Sequence, residues 1–80
     1  MKLIMFSSPT CGPCRMMKVT IETLKSDYDI EVIDIVDSPD IAASYGVMAT
    51  PTWVLEKNGI EAKRSIGAMI KPKLIAFIEQ

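Results

Sequence analysis

Apolar positions change their spacing several times along this chain, and each change marks a new element. Lys2 to Ser7 holds a short continuous apolar run, Leu3 to Phe6, that stops at the turn-forming Ser8-Pro9-Thr10. A run of this length bounded by a turn predicts a buried strand. From Cys11 to about Ser26 the period lengthens: Met17, Ile21 and Leu24 recur at i, i+4 and i+7, with Arg15, Lys18, Glu22 and Lys25 left to the wet side. That pattern predicts an amphipathic helix, and Pro13 suits its first turn, where a missing N–H costs nothing. Ile30 to Val36 is apolar and β-branched, which predicts a second buried strand. Strand, helix and strand in quick succession predict a βαβ unit with parallel strands.

The second half changes character. Ser38-Pro39 sets a helix-capping residue before a first-position proline, opening a short helix predicted to stop near Gly46. Thr52 to Lys57 and Ile60 to Ile66 flank Asn58-Gly59, a dipeptide that tolerates positive φ at both turn positions and predicts a tight hairpin. Ile70 to Gln80, with Leu74, Phe77 and Ile78 as its apolar stripe, predicts a terminal helix. The order β-α-β-α-β-β-α predicts an α/β fold: one domain, residues 1–80, with a four-stranded mixed sheet flanked by three helices.

Composition narrows the function classes. With 49% hydrophobic and 24% charged residues the chain is globular rather than disordered. Nine basic residues against ten acidic ones, scattered without runs, give no electrostatic basis for a nucleic-acid or anionic-membrane partner. The apolar run at the N-terminus is too short for a signal peptide, and no segment approaches a membrane span. These features lead us to expect a cytoplasmic monomer.

The chemistry concentrates in Cys11-Gly12-Pro13-Cys14, which contains the only two cysteines. A bridge across two residues closes a loop too small to constrain the unfolded chain much, so stapling is a poor purpose for it. Half a zinc site is the alternative, but structural zinc takes four ligands and the chain has no histidine and no third cysteine. One helical turn between the sulfurs lets one attack a foreign disulfide while the other waits to resolve the adduct. Cys11, at or just before the helix start, meets unpaired N–H groups and the positive helix end, which favour a thiolate. Cys14, one turn further in, is expected to be more buried. Cys11 is therefore expected to be the nucleophile and Cys14 the resolving residue, with Gly12 admitting a partner chain and Pro13 stiffening the turn. Thr50-Pro51-Thr52 precedes the third predicted strand, where a proline loses no ladder bond.

Taken together, Cys11-Gly12-Pro13-Cys14, Tyr45-Gly46-Val47, Thr50-Pro51-Thr52, Lys57-Asn58-Gly59 and Ile66-Gly67-Ala68 make the chain resemble the thioredoxin superfamily along nearly all its length. The resemblance implies a thioredoxin-like fold and a cis Pro51 lying against the sulfurs. It implies that Thr50 offers its backbone to an extended substrate strand, and that Gly67 keeps the docking surface open. A shallow apolar patch of Gly12, Pro13, Ala49, Thr50, Gly67 and Ala68 follows. The implied activity is protein-disulfide reduction with no metal and no bound cofactor. Reducing equivalents come from NADPH through a thioredoxin reductase-like flavoprotein, and disulfide-containing proteins are the substrates.

Departures accompany the resemblance. The extra N-terminal strand and helix of longer thioredoxins are missing, Thr10 stands where a tryptophan is usual, and Val19 replaces a helix-kinking proline. Met5 occupies the place of a buried aspartate that assists the resolving cysteine. Glutaredoxins, the glutathione-linked alternative, usually carry Cys-Pro-Tyr-Cys and a Gly-Gly-acid signature; this chain has Ile66-Gly67-Ala68-Met69. A non-redox binding module is the alternative of a different class. Trp53 and the six methionines are expected mainly in the core, and Tyr45 is expected to pack at the close of the second helix.

Overall fold

The computed structural model describes residues 1–80 as β1 (Lys2–Ser7), α1 (Gly12–Glu22), β2 (Ile30–Asp34), α2 (Pro39–Ser44), β3 (Thr52–Lys57), β4 (Ile60–Ile66) and α3 (Lys71–Glu79). The strands form one sheet in the order β2-β1-β3-β4. β1 pairs parallel with β2 and antiparallel with β3, and β4 closes the antiparallel half. The mixed α/β architecture expected from the sequence is the observed one.

β1 lies in the middle with both faces covered, so its apolar run is continuous rather than alternating. Leu3 and Met5 join Trp53 and Leu55 on one face, packed against Met17 and Ile21 of α1 and Leu74 and Ile78 of α3. Ile4 and Phe6 join Ile33 and Val54 on the other, against Ala42 of α2. Each helix carries a proline in its first turn, where no backbone bond is lost.

Several boundaries fall short of the expected ones. α1 ends at Glu22 rather than near Ser26; the chain then turns, with the Asp27 and Tyr28 amides both donating to the Leu24 carbonyl at 3.0 Å. Leu24 stays in the core through this turn. β2 stops at Asp34, not Val36, because the Asp34 carboxylate accepts the Val36 and Asp37 amides at 2.7 and 3.3 Å and bends the chain away. It is also an edge strand, fully burying only Ile33. Ser38 holds the capping position of α2, but its hydroxyl makes no cap bond. Phe77 is half-buried, with Lys63 Nζ 4.9 Å above its ring.

The hairpin matches its signal: Asn58 and Gly59 have φ of 56° and 76°. A register shift beyond it pairs Leu55 with Lys63 but Glu56 with Glu61, leaving Ala62 as a bulge. Tyr45 closes α2, its ring 5.1 Å from Phe6, and donates its hydroxyl to Glu56 at 2.6 Å. That bond pushes the Tyr45 phenol pKa above its ordinary value. The methionines divide, contrary to expectation. Met5 and Met17 are core and Met69 is half-buried, whereas Met1, Met16 and Met48 are exposed.

Candidate active site

Cys11 is the N-cap of α1, in extended backbone conformation, and its Sγ accepts the Cys14 amide at 3.2 Å. The preceding turn is closed by the Cys11 N–H donating to the Ser8 carbonyl at 3.2 Å. Arg15 braces it by donating from its guanidinium to the Pro9 carbonyl at 3.4 Å. The two cysteines are disulfide-bonded, with Cα atoms 5.2 Å apart. Cys14, Met17 and Ile21 share the buried face of α1, so the 3.6-residue period that builds the core also turns Cys14 inward. The sulfur residues differ in access: Cys11 is 7% exposed and Cys14 0%.

The Thr50-Pro51 peptide bond is cis, and Pro51 is buried. Thr52 Oγ1 donates to the Ala49 carbonyl at 2.5 Å and tightens this turn. The loop is tied to the β4–α3 connection, because the Gly67 amide donates to the Pro51 carbonyl at 2.9 Å. On its other side, the Gly67 carbonyl accepts the Trp53 indole N–H at 2.9 Å. Trp53 is thus the core residue the sequence leads one to expect, and its indole also holds the Gly67 turn in place. Gly67 has φ of 103°, and a Cβ there would meet nothing within 4 Å. Glycine is required by the backbone conformation, and its outward side is open.

Beside the cysteines runs an apolar groove. Gly12, Pro13 and Met16 of α1 form one wall; Ala68, Met69 and Ile70 form the other, with Lys71 at the end. Of the expected patch, Gly12, Pro13 and Ala68 line this groove. Gly67 and Pro51 meet through their backbone bond, while Ala49 and Thr50 lie on the adjoining loop without lining it. Met16, Thr20, Met69, Ile70 and Lys71 were missed, and Met17, expected only in the core, also reaches the groove. Met16 gave a signal: it falls off the apolar stripe of α1, as an exposed apolar residue beside the tetrad. Met5 is fully buried in a core of apolar side chains, so no carboxylate stands at that point. Thr10 and Val19 are exposed.

A bonded Cys-X-X-Cys pair at a helix start, in a sheet whose cis-proline loop is hydrogen-bonded to the β4–α3 connection, defines the dithiol class of thioredoxin-like folds. The chain belongs to the thioredoxin family: the family model described as Thioredoxin matches residues 1–80. It is similar to the thioredoxin of Chlamydia caviae, with 38% identity over 98% of this chain and 79% of that one. It is also similar to a chloroplastic M-type thioredoxin of Zea mays, with 35% identity over 98% of this chain and 49% of that one. The chain spans about half the length of the first curated relatives it matches. Among solved structures, a variant thioredoxin from Halobacterium salinarum superposes with a TM-score of 0.92 at 31% identity, covering 98% of this chain and 71% of that one. A thioredoxin of Fasciola hepatica gives 0.90 at 32% identity, covering 98% and 77%.

Proposed function

We propose that this chain is a thiol–disulfide oxidoreductase that reduces protein disulfides through a reversible Cys11–Cys14 couple. The observation that carries the reading is the bonded pair at the start of α1, with Cys11 slightly accessible and Cys14 fully buried. The Cys11 thiolate, favoured by the helix end and by the Cys14 amide, attacks a target disulfide. One target sulfur leaves as a thiolate and a mixed disulfide remains. Cys14 then loses its proton and attacks Cys11 Sγ, the internal disulfide forms, and the second target sulfur departs. Two electrons pass from the dithiol to the target.

Gly12, Pro13, Gly67 and Ala68, with the exposed Met16 and Ile70, supply an apolar surface for an extended segment. Thr50, on the loop before cis Pro51, offers backbone groups to that segment by strand addition. The surface has little hydrogen-bonding detail, which suits many protein disulfides rather than one small thiol. We assign the reducing equivalents to NADPH, delivered by a thioredoxin reductase-like flavoprotein, with the chain acting as a cytoplasmic monomer.

Insulin reduction tests the reading, coupled either to NADPH with thioredoxin reductase or to NADPH with glutathione and glutathione reductase. Turnover with the first system is expected; turnover with the glutathione system alone would overturn the electron source. Cys14→Ser should accumulate mixed disulfides with targets and Cys11→Ser should not. The reverse result exchanges their roles. A Cys11→Ser, Cys14→Ser double variant that kept its biological activity would favour a non-redox binding module.

A further inference from the structure

Ser7 ends β1 at the end of the strand from which the chain turns into α1, and it carries an anomaly. The residue is 1% exposed, yet its Oγ has no hydrogen-bond partner. A buried hydroxyl left unpaired is destabilising, and native folds keep few of them. The strand register says where it points. Leu3 and Met5 face α1 and α3, and alternation puts Ser7 on that same face. α1 runs back over β1 after a turn of only Ser8–Cys11, so rows on the two elements meet in reverse order. Leu3 and Met5 pack in one cluster with Ile21 and Met17; the next pair in the row, at the site end, is Ser7 with Cys14. Phe6 pairs with Thr52, which sets Ser7 level with cis Pro51 as well.

We propose that the Ser7 hydroxyl donates a hydrogen bond to Cys14 Sγ when that sulfur becomes a thiolate, assisting the resolving step from beneath. The inference rests on the dithiol exchange proposed above. A disulfide sulfur is a weak acceptor; in the bonded state Cys11 Sγ takes the Cys14 amide and the Ser7 hydroxyl donates to neither sulfur. A thiolate is charged and accepts strongly. Ser7 keeps its own proton throughout. The Cys14 proton passes to solvent or to the departing target thiolate, and the electron pair of Cys14 forms the bond to Cys11 as the Cys11–target bond breaks.

No other group on this face competes from within the core. β1, β3 and α3 present Leu3, Met5, Trp53, Leu55, Leu74 and Ile78 to α1; the one polar group among them, the Trp53 indole N–H, is committed to the Gly67 carbonyl. Arg15 and Lys71 are exposed. Asp34, paired with Ser7 across the parallel ladder, is the one nearby acid, and its carboxylate is already engaged by the Val36 and Asp37 amides. The other buried hydroxyl, Thr52, is committed to Ala49.

The test is stopped-flow reduction of dithiobisnitrobenzoate, which releases one coloured thiolate on attack by Cys11 and a second on resolution by Cys14. Wild type, Ser7→Ala and Asp34→Asn are compared across pH. Loss of the hydroxyl should raise the Cys14 pKa by about one unit and leave the first phase unchanged. About tenfold less thiolate, partly offset by a more basic nucleophile, makes the second phase roughly threefold slower below both pKa values. Above both, the same basicity makes it roughly threefold faster, a crossing that loosened packing does not produce. The melting temperature of the oxidised Ser7→Ala protein should not fall, since no bond is lost. Second phases that coincide at every pH overturn the inference, as does a shifted profile in Asp34→Asn alone or a Ser7→Ala protein that fails to fold. A wild type that releases no colour sinks the exchange reading itself.

Discussion

Replacing Trp53 with phenylalanine separates the two jobs of that side chain. The indole is fully buried between the sheet and helices α1 and α3 and donates to the Gly67 carbonyl at 2.9 Å. Phenylalanine keeps a ring in the core but removes the donor and roughly a third of the side chain. A lost hydrogen bond costs about 1 kcal/mol. Full truncation of a buried tryptophan costs about 3–5 kcal/mol, so the missing third adds about another 1–1.5 kcal/mol. The expected loss is therefore about 2 kcal/mol, out of roughly 4–12 kcal/mol for a domain of this size. With a urea slope of about 1 kcal/mol/M, the unfolding midpoint should fall by about 2 M. Circular dichroism must report it, because Trp53 is the only tryptophan and fluorescence is lost with it. Hydrogen exchange supplies the local reading: the Gly67 amide, bonded to the Pro51 carbonyl at 2.9 Å, should lose more protection than the β1 amides. A midpoint shift under about 0.5 M, or equal loss of protection at both places, would refute the argument that Trp53 holds the site loop.

Three further outcomes follow from the same geometry. Leu74→Ala empties a fully buried position of α3 and should cost about 2–5 kcal/mol, enough to leave the domain marginal in a urea or thermal melt. Gly67→Ala places a Cβ on a residue with φ of 103°; strain should cost about 1–3 kcal/mol, and the methyl, pointing into open space, should raise KM for insulin more than it lowers kcat. The Tyr45 phenol is raised above 10.0, chiefly by its bond to Glu56, so the stability it contributes is full below pH 10.0 and drains away as pH rises through the folded value. Tyr45→Phe should flatten that part of the alkaline melting profile, and an unchanged slope above pH 10.0 would count against the bond.

Element types were readable because local periodicity and turn chemistry agreed with the final packing. Leu3 to Phe6, the Met17–Ile21–Leu24 stripe and Asn58-Gly59 each meet the environment their pattern demands. Boundaries were less readable where a side chain cut an element short. Asp34 ends β2 by taking two amides, although the apolar run continues beyond it to Ile35 and Val36. Periodicity also cannot tell which strand lies at an edge, so β2 was expected to be more buried than it is.

The sequence alone determined the reactive pair, its place at a helix start and the order of access to the two sulfurs. Those follow from four adjacent residues and a 3.6-residue period, both local properties. Only the tertiary structure decided which distant groups lie around that end of the fold. The reach of Trp53 to Gly67, the groove walls contributed by α1 and the β4–α3 connection, and the burial of an unpaired Ser7 hydroxyl at the end of β1 all depend on how β1, β3 and α1 stack. Pairing register and helix packing set those relations, and neither is written in the spacing of neighbouring residues.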